Sequence, residues 1–175
     1  GLATQVAINP LDHARVAVGG DVWGVSQSGS RGDRWQPALR AKTASYDSRN
    51  GRGYVVGLAY SPTEVNTLYV LTGRTCSGVD CPAAWVRGGF LKVTGGVATP
   101  DITLANLNEG VGGGDPHHDR RVHPRPLTRL IVDGSSGKDE LFAGMGAGLG
   151  LKHSADGGQT WTPVWGGVGS TYALG

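Results

Sequence analysis

The chain has 175 residues, among them 31 glycines, nine prolines, five tryptophans and one methionine, and a formal net charge of +2 at pH 7. That length suits one domain with a proper core or part of a larger one, and scattered, nearly balanced charge argues against a nucleic-acid partner. The sequence contains no apolar run long enough to predict a membrane span, and no apolar residues at helical spacing over a long window.

Glycine- and proline-rich composition of this kind predicts many short strands joined by turns. The first predicted element is VAINPLDHARVAVGG, from Val6 to Gly20: an apolar triplet, a polar turn carrying Pro10, and a second apolar triplet ending in glycine. It runs into Gly20-Asp21-Val22-Trp23-Gly24-Val25 and then into Ser28 to Trp35, SGSRGDRW. A second hairpin, GLAYSPTEVNTLYVLTG, begins at Gly57 and is followed by a loop containing Cys76 and Cys81 and by Leu91-Lys92-Val93-Thr94-Gly95-Gly96. After a polar stretch from Asn106 to Pro126, a third hairpin, RLIVDGSSGKDELFAGMG, begins at Arg129 and leads to SADGGQTW, Ser154 to Trp161. Aligning Pro10, Pro62 and Gly134 without a gap puts Val18, Val70 and Phe142 in one column. In SADGGQTW, Asp156 can accept backbone donors, Gly157 and Gly158 can take positive φ, and Trp161 can drop into the layer below, which predicts a tight hairpin turn. SGSRGDRW repeats it with Ser30 in the acidic position, and Leu91 to Gly96 is a shortened echo.

Paired hairpins at a period of roughly fifty residues predict β-propeller blades of four antiparallel strands. The expected fold is all-β, with blades over about 1–45, 52–105 and 127–168, insertion loops over 74–88 and 106–126, and the start of a further blade over 169–175. Three blades are fewer than the four to eight of a closed ring. The sequence therefore predicts a partial propeller whose remaining blades come from the rest of a longer chain or from another chain. The start at Gly1, without an initiating Met or a charged-then-apolar leader, fits a processed product or an excised piece.

SADGGQTW looks like the Asp-box, or BNR repeat, of sialidases, sortilin-type receptors, a plastid photosystem assembly factor and family-74 glycoside hydrolases. The resemblance implies a structural turn built from Ser154, Asp156, Gly158, Thr160 and Trp161, away from any active face. Over most of the chain the sequence resembles the opening blades of the family-74 enzymes, the xyloglucanases. There a first hairpin with a proline turn runs into a D-V-G-G segment, as VAINPLDHARVAVGG here runs into GDVWGV. The resemblance implies an inverting hydrolysis of a β-glucan, in which one carboxylic acid protonates the leaving oxygen and another carboxylate activates water. Asp21 matches one of the family's two catalytic carboxylates, and the second belongs to a part of the molecule with no counterpart in these residues. Trp23 stands where the family usually has glycine, and it can stack on a sugar ring or fill the space a substrate needs. An Asp that caps a strand-end turn is the alternative reading of Asp21.

In Asp115-Pro116-His117-His118-Asp119-Arg120-Arg121-Val122-His123, imidazoles and carboxylates are metal-ligand types, but adjacent His117 and His118 point apart in an extended chain and no second cluster completes a site. A solvated loop is the expectation, with His117, His118, Asp119 and Arg121 as candidate ligand contacts. No metal ion and no cofactor are expected. Cys76 and Cys81 lack redox C-x-x-C spacing; a local disulfide in an oxidising compartment and a pair of reduced thiols are the two readings. Tyr46, Tyr54, Trp85 and Trp165 are candidate sugar platforms or packing between blades. The expected partner is a polysaccharide or other glycan, and the expected location is extracellular or periplasmic. A non-catalytic binding propeller and a structural subunit of a larger extracellular assembly are the alternatives to an enzyme.

Overall fold

A computed structural model describes residues 2–20, 24–38, 55–72, 89–95, 97–98, 129–145 and 150–165. Among them there are strands and turns and no α-helix. The first sheet comprises β1 (Ala3–Ile8), β2 (Val16–Gly20), β3 (Val25–Ser28) and β4 (Gln36–Pro37). The second comprises β5 (Val55–Tyr60), β6 (Thr67–Thr72), β7 (Gly89–Thr94) and β8 (Val97–Ala98). The third comprises β9 (Arg129–Asp133), β10 (Glu140–Met145), β11 (Gly150–Ser154) and β12 (Thr162–Trp165). Each sheet is antiparallel, and its strands pair in chain order.

The sheets stack face to face, with β5 lying against both β1 and β9. Two apolar layers result. Ala17, Val25 and Ala38 of the first sheet pack on Leu58, Tyr60, Leu68 and Val70 of the second. Tyr69, Leu71 and Phe90, on the opposite face of the second sheet, pack on Leu130, Leu141, Ala143 and Trp161 of the third. Every residue of β5 is buried or nearly so, because this strand is enclosed on both faces. That explains its unbroken apolar run VVGLAY, where β9, covered on one face only, alternates exposed and buried positions. Backbones approach closely at the inner strands: a Cβ on Gly19 would collide with Val55, and one on Gly57 with Leu130.

Polar side chains fasten the sheets at both ends. Thr4 Oγ1 donates to Val55 O at 2.7 Å where β1 and β5 begin, and Asn9 Nδ2 donates to Val65 O at 2.7 Å where the first hairpin turns meet. The innermost strands therefore run parallel, as blades around an axis do. These features define a partial β-propeller of three four-stranded blades.

Val6 pairs with Val18 and Leu58 with Val70, but Leu130 pairs with Ala143. The turn between β9 and β10 carries one residue more than its counterparts. Ala143, not Phe142, therefore occupies the column of Val18 and Val70, and Phe142 lies on the opposite face of its blade. A side-chain period of two makes any one-residue shift a change of face.

Candidate functional site

Each blade has two ends. At one, β1–β2, β5–β6 and β9–β10 turn, and so do β3–β4, β7–β8 and β11–β12; at the other, the blades make their remaining connections. The first end is built by local hydrogen bonding. In SADGGQTW, Ser154 Oγ accepts from Gly158 N at 2.8 Å and donates to Asp156 Oδ1 at 2.7 Å. Asp156 also accepts from Thr160 N at 2.8 Å and from Thr160 Oγ1 at 2.6 Å. Gly157 and Gly158 take φ of 69° and 94°, and Trp161 Nε1 closes the turn on Gly158 O at 3.0 Å. The indole then packs edge-on against Phe90 of the neighbouring blade, with ring centroids 5.5 Å apart. Slight burial pushes the Asp156 carboxyl up, but the bonds from Thr160, Ser154 and the Gln159 backbone outweigh it and hold its pKa below the ordinary value.

SGSRGDRW folds the same way with a hydroxyl in place of the carboxylate. Ser28 Oγ accepts from Gly32 N at 2.9 Å, and Ser30 Oγ accepts from Arg34 N at 3.0 Å. Arg31 and Gly32 take the left-handed φ values of 58° and 102° that Gly157 and Gly158 take in the third blade. Trp35, however, stays 47% exposed where Trp161 is 7% exposed.

A cleft of about 280 Å³ opens at this end between the second and third blades, with Thr63, Tyr69, Lys92, Asp139 and Asp156 on its walls. At its base lies a network that sequence reasoning missed. Asp139, 9% exposed, accepts from Ser61 Oγ at 2.9 Å, Thr63 Oγ1 at 2.6 Å and Tyr69 Oη at 2.8 Å. Burial and the bond to Asp139 push the Tyr69 hydroxyl up, so it remains a donor at physiological pH. Glu64 is held low by the hydroxyl of Thr67 and by Lys92, whose ammonium lies 3.3 Å away. All of the Asp139 partners donate to it, so the network acts as a clasp between blades. Its only sequence signals were a Ser-Pro-Thr-Glu turn and an Asp in a polar hairpin, both of which read as ordinary turn residues.

The opposite end bears on the predicted ligand contacts. The strand ends that bracket 21–23, 39–54, 73–88, 99–128 and 146–149 all lie there. Asp21, Trp23, Tyr46, Tyr54, Cys76, Cys81, Trp85, His117, His118, Asp119 and Arg121 lie outside the described residues. The flanks of Asp21 are described: Gly20 N donates to Gly24 O at 2.8 Å, and Gly24 has φ of 77°. Trp165, at the last described position of β12 on this end, is 56% exposed. No group of three His, Cys, Asp or Glu able to hold a metal ion occurs among the described residues. No helix among them is long and apolar enough to cross a membrane.

No protein-family model matches the chain, and no curated protein matches it. Among solved structures, the chain is similar to the GH74 enzyme of Niastella koreensis, with a TM-score of 0.55 and 17% identity over 93% of this chain. A GH74 xyloglucanase from Xanthomonas campestris matches with a TM-score of 0.49 and 15% identity over 94% of the chain. YCF48 bound to D1 peptide matches with a TM-score of 0.33 and 14% identity over 85% of it. The chain spans 22% and 30% of the two GH74 chains and 49% of YCF48. At 17% identity the likeness to the Niastella koreensis enzyme is one of fold, that of β-propeller blades.

Proposed function

We propose that these blades belong to a secreted, GH74-like propeller that binds or hydrolyses a polysaccharide at the end where the inter-strand connections gather. One observation carries the reading. The strand ends bracketing Asp21 and Trp23 and those bracketing His117, His118, Asp119 and Arg121 lie at the same end, although these groups are far apart in sequence. Loops carried on one end of a rigid scaffold are where ligand-contacting residues collect. Trp165, exposed at that end, adds an aromatic surface of the kind sugars stack on. Ser154, Asp156, Gly158, Thr160 and Trp161 form the Asp-box in this reading, and they sit at the far end as structural fasteners.

In the catalytic form of the proposal, Asp21 is one of the two carboxylates of an inverting hydrolysis, and the second is supplied by blades beyond these residues. In the binding form, Trp23 and the His117 loop hold a β-glucan without cleaving it. A disulfide between Cys76 and Cys81 and an extracellular or periplasmic setting accompany both.

Isothermal titration with xyloglucan and other soluble β-glucans, together with a reducing-end assay, tests the proposal on these blades joined to those that complete the propeller, so that both carboxylates are present. Wild type is expected to bind, and Trp23→Ala to weaken binding at least tenfold. Hydrolysis that Asp21→Ala abolishes without loss of binding establishes the catalytic form. Binding without hydrolysis establishes the binding form. A folded wild type that neither binds nor cleaves any β-glucan overturns both.

A further inference from the structure

SGSRGDRW keeps the fastening of the SADGGQTW turn and changes what the turn displays. Every backbone N–H from Ser30 to Arg34 is bonded. Ser30 and Gly32 donate to Ser28 Oγ, Arg31 to Ala14 O of the neighbouring turn, Asp33 to Ser30 O and Arg34 to Ser30 Oγ, at 2.9–3.2 Å. Those bonds draw on the backbone and two serines and on none of the charged side chains. Arg31, Asp33 and Arg34 are exposed, and among the described residues their side chains make no hydrogen bond or ion pair. Arg31 is the one non-glycine residue with a left-handed φ among those described, 58°, where the third blade has Gly157 at 69°. Glycine takes that conformation freely and arginine does not, so the turn by itself favours glycine there. A strained conformation kept at an exposed arginine that makes no contact within the fold points to work done by its side chain. Two residues on, Asp33 is equally dispensable to the turn, since the uncharged Gln159 holds its place in the third blade.

The third blade shows that these positions stay open when another blade stands beside them. Gln159 is exposed although the second blade packs against its turn through Phe90 and Trp161. A Cβ on Gly157 would meet only the Tyr69 hydroxyl, at 3.6 Å, an ordinary contact, and Gly157 lies on the wall of the cleft between the two blades. A side chain at Arg31 therefore has room to leave the turn with a preceding blade in place, and the display of Arg31 and Asp33 does not depend on where the described blades begin.

Arg31, Gly32 and Asp33 thus hold a guanidinium and a carboxylate on one fastened turn, spaced by a glycine at φ 102°. A carboxylate with both oxygens unbonded can complete the coordination shell of a hard divalent cation, and a guanidinium offers a two-pronged donor to a carboxylate. We infer that this turn is recognised by a receptor domain that presents a divalent cation with an open coordination position beside an acidic pocket. Asp33 ligates the ion, and Arg31 enters the pocket. The bonded backbone cuts the ordering cost that a flexible peptide of the same three residues meets on binding. The turn lies at the end of the blades opposite the strand ends that bracket Asp21, so the polysaccharide reading and this one can fail independently.

Surface plasmon resonance against the soluble ectodomain of an integrin that binds Arg-Gly-Asp peptides tests it, on these blades joined to those that complete the propeller. Far-UV circular dichroism and thermal melts confirm that each variant is folded. In Mg²⁺ buffer, wild type is expected to bind, to be displaced by an excess of a Gly-Arg-Gly-Asp-Ser peptide, and to be released by EDTA. Asp33→Glu keeps the charge but moves it by one methylene, and it should weaken binding by more than about 100-fold. Arg31→Gly keeps the backbone conformation, which glycine adopts freely, and should weaken binding by about tenfold or more. A folded wild type that does not bind overturns the inference. So does binding that survives EDTA or the competing peptide, or that either folded variant leaves unchanged.

Discussion

Replacing Asp139 by alanine is the most informative perturbation of the blade-to-blade clasp. The carboxylate accepts three hydroxyls, and two of the donors, Ser61 and Tyr69, are fully buried. Ser61 keeps an acceptor for its proton in Thr63 Oγ1, 3.3 Å away, while its Oγ still accepts from Thr63 N and Glu64 N. Tyr69 Oη has no alternative acceptor among its described hydrogen bonds, so Asp139→Ala strands a buried donor. Stranding such a group costs about 1–3 kcal/mol, and losing the charged acceptor's remaining bonds raises the expected total to about 2–4 kcal/mol. For a chain of this length that lowers Tm by about 5–15 °C. Tyr69→Phe removes the donor but leaves Asp139 two hydroxyls, at a cost of about 1 kcal/mol. In the double variant nothing is stranded. The two changes together should cost less than their sum by about 1–2 kcal/mol. Equilibrium urea unfolding followed by tryptophan fluorescence measures all three. A cost below about 0.5 kcal/mol for Asp139→Ala, or additivity in the double variant, would refute the reasoning.

Three further outcomes follow from the turns. Gly158→Ala forces a left-handed residue to carry a Cβ into the Phe90 ring and should cost about 3 kcal/mol, whereas Gly157→Ala meets only ordinary contact with the Tyr69 hydroxyl and should cost about 1 kcal/mol, as urea midpoints will show. Trp161→Ala should cost about 3–5 kcal/mol and flatten the near-ultraviolet dichroism, while Trp35→Ala, at a half-exposed site, should cost less than about 1 kcal/mol. Asp156 has a lowered pKa in the folded state, so its contribution to stability is present above the unfolded value of about 4 and is lost as pH falls through the folded value. Thermal melts between neutral pH and about pH 3 should therefore show a shallower acid loss in Asp156→Asn than in wild type.

The sequence reading reached the elements whose bonds are local. SADGGQTW was legible because Ser154, Asp156, Gly158, Thr160 and Trp161 bond to one another within four residues, so their spacing alone specifies the turn. SGSRGDRW was legible for the same reason, with Ser30 substituting for the carboxylate. The three hairpins and the four-stranded blades were likewise written in apolar triplets and turn residues. Tertiary structure alone decided what depends on which blade lies beside which. The extra residue between β9 and β10 turned Phe142 away from the column of Val18 and Val70, and a gapless alignment could not register it because both faces of that strand are apolar. Asp139 became a clasp only when the second blade brought Ser61, Thr63 and Tyr69 to it from more than sixty positions away in the chain. Val6 and Ile8 occupy the register positions of the buried Leu58 and Tyr60 but are 67% and 60% exposed. They are exposed because a propeller blade buries its face only against a neighbour, and neighbourhood is a property of the assembled blades.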